Sequence, residues 1–140
     1  MKFLCDTSVI VAATIEEHEH HQRSLRLMDT MPRKQRAFLA SHSLSEAYAT
    51  LTSAAYKLSP QTLEEDFLKR ISSHFTFVAL SHTDYLRAFK RVASGGFVSG
   101  IIYDALILEC ALKVKAEILY TWNSKHFLRF QEPGIKILSP

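Results

Sequence analysis

Short apolar runs, each followed by a longer amphipathic stretch, recur along the chain. KFLC runs into the turn-forming DTS and reads as a first strand. RAFLAS (36–41), FTFVAL (75–80) and EILYT (117–121) read as three more, and IKIL as a last one. The intervening segments carry helical spacing. Residues 8–31 read as helix with a break near Glu16, and 43–56 place Leu44, Ala47, Tyr48, Leu51 and Ala55 on one face. Pro60 opens the helix PQTLEEDFLKRISSH, in keeping with proline at a first helical position. Residues 81–93, the stretch after the loop SGGFVSG, and NSKHFLRF complete the helices. Strands alternating with one or two helices predict an α/β fold, a parallel sheet with helices on both faces. No repeat or linker interrupts the pattern, so residues 1–140 read as one domain.

One residue resists the pattern. In GIIYDALILECALK, Asp104 falls between Ile101, Ile107, Leu108 and Ala111, with Glu109 and Lys113 expected on the opposite, polar side. A carboxylate on an apolar stripe needs a proton, a cation or hydrogen-bond donors, because burying it unpaired is too costly. Ligands of open parallel sheets sit beyond the carboxyl ends of the strands, near a switch in strand order. Three further residues fall there: Asp6 after the first strand, Glu46 at the start of the helix after the second, and Asn123 two residues beyond Thr121. The three carboxylates, brought together, raise one another's pKa unless a cation is present, and with the amide oxygen they make an all-oxygen set that suits Mg²⁺ or Mn²⁺.

Each position also has a purely structural reading. Asp6 can cap the following helix, and Ser43-Leu44-Ser45-Glu46 fits a capping box. Asp104 can answer the positive end of its helix, and Asn123 can cap the last one. The joint placement, not any single residue, favours a site.

Composition narrows the classes. Hydrophobic residues at 47% against 22% charged describe a folded chain, and no apolar run reaches the roughly 18 residues that span a bilayer. MKFLCDTSV lacks the form of a signal peptide, so a cytoplasmic setting is expected. Seventeen basic against fourteen acidic residues give +3, which permits an anionic partner without demanding one. Arg33, Lys34 and Arg36 form one basic cluster and Arg87, Lys90 and Arg91 another, each expected on a solvated face. Cys5 and Cys110 fit no metal or redox spacing and read as buried free thiols. EEHEHHQR, with His18, His20 and His21, reads as a solvated helical face and not a transition-metal site.

FLCDTSVIVA, LSEAYATL around Glu46, YDALILECALK around Asp104 and ILYTWNSKHF, in this order and spacing, carry a resemblance over nearly the whole chain. The chain resembles the PIN-domain ribonucleases, and within them the small VapC-like toxins of toxin–antitoxin pairs. The resemblance implies an α/β/α sandwich on a parallel sheet and a Mg²⁺- or Mn²⁺-dependent endoribonuclease. It implies an RNA substrate, a cognate antitoxin and a homodimer. Asp6 and Asp104 match the metal-binding aspartates, Glu46 the second acid, and Thr7 or Ser8 the hydroxyl beside the first, with Thr121 in support. Asn123 stands where many members place a further aspartate. The change removes a formal charge and keeps an amide oxygen able to bind a metal or its water.

Other classes fit less well. A degenerate RNA- or partner-binding module would share the fold without the chemistry, and Asn123 is the residue that would mark it. A receiver-like domain needs an aspartate directly after the middle strand, where FTFVALSHTD places Ser81 and His82 first and Asp84 late. A haloacid-dehalogenase-like phosphatase needs D-x-D where DTS stands. Tyr103 and Trp122 flank the proposed site and can stack on bases, though packing explains them slightly better, and His126 and Lys125 are candidates for a phosphate.

Overall fold

A computed structural model describes residues 1–30 and 34–140, the side chain of residue 34 excepted. Arg33 of the first basic cluster, the Lys34 side chain and the end of the helix expected to reach residue 31 therefore lie outside the described residues. The strands are β1 (Phe3–Cys5), β2 (Ala37–Ala40), β3 (Thr76–Val78), β4 (Ile118–Tyr120) and β5 (Lys136–Leu138). They form one all-parallel sheet in the order β3-β2-β1-β4-β5. The helices are α1 (Thr7–Thr14), α2 (His21–Asp29), α3 (Ser43–Leu51), α4 (Pro60–Thr62), α5 (Leu68–His74), α6 (His82–Ser94), α7 (Ile101–Lys113) and α8 (Ser124–Leu128). A π-helical turn, Leu63–Phe67, joins α4 to α5.

Side chains alternate across a strand, so each strand feeds two cores. Phe3, Cys5 and Leu39 pack with Val9, Ile10, Met28, Leu51, Phe67 and Ile71 on one face. Leu4, Phe38 and Leu119 pack with Ile107, Leu108, Ala111 and Phe127 on the other. The result is the α/β/α sandwich that the sequence pattern predicts. Both cysteines are free and buried.

Three expectations need correction. The helix read over 43–56 stops at Leu51, and Ala55 is exposed beyond it. Glu109 is not on a solvated side of α7. It is buried, and its carboxylate meets Arg91 at 3.3 Å and Arg87 at 3.4 Å. The second basic cluster is likewise only partly solvated: Arg87 and Arg91 clamp α6 to α7, while Lys90 is exposed. The clamp is completed by Lys113, which donates to Asp84 at 2.7 Å and holds that carboxyl down at about 2 together with the Ser81 N–H. Asp84 thus works in packing.

Candidate functional site

The chain leaves β1 for β2 on one flank and returns to β4 on the other. The carboxyl ends of β1 and β4 therefore border a switch in strand order, where parallel sheets leave a crevice. A cleft of about 790 Å³ opens there, and Asp6, Thr7, Ser8, Glu46, Asp104 and Asn123 all line it.

Asp6 caps α1 and lines the cleft at once. Its Oδ1 accepts from the Thr7 N–H at 2.8 Å, and its Oδ2 accepts from the hydroxyls of Ser8 at 3.0 Å and Thr121 at 2.9 Å. The same hydroxyl oxygens accept in turn. Ser8 Oγ takes the N–H of Trp122 at 3.1 Å, and Thr121 Oγ1 that of Asn123 at 2.9 Å. The loop after β4 is thereby fixed against Asp6. Burial raises the Asp6 pKa, and the hydrogen bonds from Thr121, Ser8 and Thr7 oppose that rise.

Thr7 donates to Ser43 at 2.8 Å, both residues buried, and so ties α1 to α3. Ser43 is the first residue of α3, behind an N-cap, His42, that makes no side-chain cap bond. The capping box expected at Ser43 and Glu46 does not form; it stands at Ser81 and Asp84 instead. Glu46 is left half-buried, with Oε1 3.7 Å from His42 Nε2, and neither of these buried atoms has a hydrogen-bond partner. Unsatisfied buried polar atoms cost about 1–3 kcal/mol each, so the pair favours an added donor or cation. Burial, then the Asp6 charge, pushes the Glu46 pKa up to about 7.

Asp104 is half-buried at the start of α7, and His126 Nδ1 stands 3.5 Å from its Oδ2. Burial is the largest influence and raises its pKa; His126 and Arg129 pull it down and Asp6 pushes it up. Repulsion among the acids is thus present, but burial is the larger cause at every one. Asn123 caps α8 without a side-chain bond, so its amide remains open to the cleft.

The histidine segment departs from expectation. His18 and His20 lie in the turn between α1 and α2 and form a wall of the cleft, and His21 is buried with Nδ1 2.9 Å from the Ala12 carbonyl. His20 stacks on Trp122 at 3.8 Å between centroids, and the indole N–H donates to Ser24 at 2.7 Å. Trp122 is thus held in place by packing while still lining the cleft, and Tyr103 lines it at 59% exposure. Sequence reasoning passed over Arg129, which also lines the cleft. The signal was its position three residues after His126, one turn along the same helix end.

Among the described residues no three His, Cys, Asp or Glu side chains close into a metal-binding cluster. The acids border an open cleft. An all-oxygen donor set with an unsatisfied carboxylate oxygen fits a hard, partly hydrated cation such as Mg²⁺ or Mn²⁺. A thermodynamic consequence is measurable. Glu46 binds its proton more tightly folded than unfolded, so the metal-free protein is expected to lose stability as pH rises from about 4.5 to about 7. His42, lowered by burial, contributes the opposite slope below pH 6.5. Comparing melting temperatures of the wild type and Glu46→Gln across this window isolates the carboxylate: the variant should gain most at the alkaline end. An equal gain at every pH would refute the assignment.

A family model described as the PIN domain matches residues 3–132. Comparison with curated proteins gives no match. Among solved structures, VapC20 of Mycobacterium tuberculosis, a sarcin-ricin loop cleaving toxin, superposes with a TM-score of 0.77 at 16% identity, covering 99% of this chain and 100% of that one. FitAcB from Neisseria gonorrhoeae gives 0.69 at 15% identity, over 99% and 97%. VapBC2 from Rickettsia felis, bound to a promoter DNA fragment, gives 0.66 at 21% identity, over 99% and 98%.

Proposed function

The chain belongs to the PIN-domain family, and we propose that it is a divalent-metal-dependent endoribonuclease acting as the toxin of a toxin–antitoxin pair. The observation that carries the reading is the meeting of Asp6, Glu46, Asp104 and Asn123 on one cleft at the sheet's switch point. The similarity of the fold to VapC20, a sarcin-ricin loop cleaving toxin, and to FitAcB and VapBC2 supports the toxin reading and the pairing with an antitoxin. No helix among the described residues is long and apolar enough to cross a membrane. We place the protein in the cytoplasm as a homodimer.

Asp6 and Asp104 would hold Mg²⁺ or Mn²⁺, with Asn123 offering its amide oxygen to the ion or to a water. When bound, the cation supplies Lewis-acid polarisation of the phosphoryl oxygen and a more acidic water. Glu46, raised by its surroundings toward neutrality, takes the proton of the attacking water. The water oxygen joins phosphorus as the bond to the 3′-oxygen breaks, and that oxygen takes a proton from solvent. The products carry a 5′-phosphate and a 3′-hydroxyl. Thr7, Ser8 and Thr121 fix Asp6 and the adjoining loops; His126 and Arg129 meet the substrate's negative charge.

The test is cleavage of a structured RNA pool by the purified, antitoxin-free protein with Mg²⁺, Mn²⁺ or EDTA, with the product ends identified. Cutting that requires the metal and leaves 5′-phosphates supports the proposal. A folded protein that cuts under no condition refutes it, and favours the second reading, a binding module with weakened chemistry. Asn123 in place of an acid is the observation on that side.

A further inference from the structure

A second cleft, of about 570 Å³, adjoins the first. Arg87, Lys90, Arg91 and Arg129 line it, and the only acid lining it among the described residues is Glu109. Arg129 lines both clefts. The end of α6 and the loop that follows separate them: Ser94, Gly95 and Phe97 face the second cleft, and Val98, Ser99 and Gly100 the first. This wall is closely packed. Phe97 closes over Gly95 so tightly that any Cβ there would strike its ring, and the ring meets Phe130 edge-on at 5.5 Å.

The four cations are not equivalent. Glu109 holds Arg87 and Arg91 in place, with Asp84 and Glu132 as further partners. Lys90 and Arg129 have no carboxylate at salt-bridge distance among the described residues, and Lys90 is exposed. The cleft therefore presents two anchored guanidinium groups, two cations outside any salt bridge among the described residues, and a pair of half-buried aromatic rings. Basic grooves interleaved with aromatic rings are the common means of gripping a single strand without reading its sequence.

We propose that this second cleft is a backbone-binding subsite for single-stranded RNA, which runs from the acid-lined cleft across Arg129 to Lys90. The choice of RNA rests on the ribonuclease reading. Strand beyond the scissile phosphate is held here, so affinity grows with length past the first cleft. Lys90 contributes a phosphate contact, and Arg129 joins the two clefts.

The experiment reads binding without cleavage. The full-length chain, in EDTA, is titrated by fluorescence anisotropy with labelled single-stranded RNA of about 12 nucleotides and of about 3, over a range of salt. Lys90→Glu is compared with Lys69→Glu, the same charge change at an exposed lysine on α5 outside both clefts. Lys90→Glu is expected to weaken the longer RNA about tenfold, and Lys90→Ala to lower the salt slope by about 0.7, one phosphate contact on a single strand. The shorter RNA and the Lys69 variant should change far less. Equal losses at Lys90 and Lys69, no binding of the longer RNA, or a Lys90-dependent preference for a poly-glutamate peptide over RNA would each overturn the proposal. Because the readout needs no cleavage, RNA held through Lys90 but never cut would sink the nuclease reading alone. RNA cut by a protein whose binding ignores Lys90 would sink this one alone.

Discussion

Asp6→Asn is expected to lower metal-dependent RNA cleavage by about 100-fold or more, the scale seen when one preorganised electrostatic group is removed from a reacting site. The same change should leave the metal-free protein as stable as the wild type or more stable. Asparagine has nearly the volume of aspartate, and its Oδ1 can still accept the Thr7 N–H. The new amide would face the hydroxyls of Ser8 and Thr121, which can turn to accept in place of donating. What disappears is a buried negative charge whose pKa burial has already raised. Two measurements decide the matter together: single-turnover cleavage, and melting temperature with and without Mn²⁺. The expected pattern is lost cleavage, an unchanged or higher melting temperature in EDTA, and a smaller increase on adding Mn²⁺. A variant that cuts at the wild-type rate, or that still gains full stability from Mn²⁺, would remove Asp6 from the proposed metal site.

The largest expected loss of stability comes from Leu4→Ala. Leu4 has no exposed surface, lies on the central strand β1, and packs against the core shared with Phe38, Leu108 and Leu119. Truncating a buried leucine costs roughly 2–5 kcal/mol, because lost transfer energy and the cavity add. Strands pinned on both sides cannot relax far into the gap, so about 3 kcal/mol is expected, or about 10 °C in melting temperature for a chain of this size. Leu138→Ala, on the edge strand β5 and 41% exposed, should stay within about 0.5 kcal/mol. Thermal melts of both variants check the contrast. Equal shifts would mean that β1 is not the mechanical centre of the sheet.

The alternation of apolar runs with amphipathic stretches carried the architecture because parallel strands buried on both faces leave little else to read. Asp104 was legible for a related reason: its neighbours Ile107, Leu108 and Ala111 do pack inward, so a carboxylate among them stood out. Other features were hidden because tertiary packing decides them. The motif of Ser43 and Glu46 matches a local capping pattern, yet Thr7 claims Ser43 across 36 residues. Glu109 reads as a solvated residue until α6 lays Arg87 and Arg91 against it. The histidine segment reads as charged and helical, and only the docking of Trp122 on His20 makes it a wall of the cleft. Helical periodicity describes one helix at a time, and each of these residues is settled by a partner elsewhere in the chain.

Of the five strands, the central one is synthesised before the other four. Its neighbour β4 is the fourth of the five, and Thr121 reaches back across 115 residues to hold Asp6. At ribosomal speeds of about 5–20 residues per second, those two groups are born on the order of ten seconds apart. Throughout that interval the growing polypeptide carries Asp6, then Glu46, then Asp104, without the strand that positions the first of them. Under the ribonuclease reading, the first acid of the cleft therefore lacks its Thr121 partner until the polypeptide has been extended through β4.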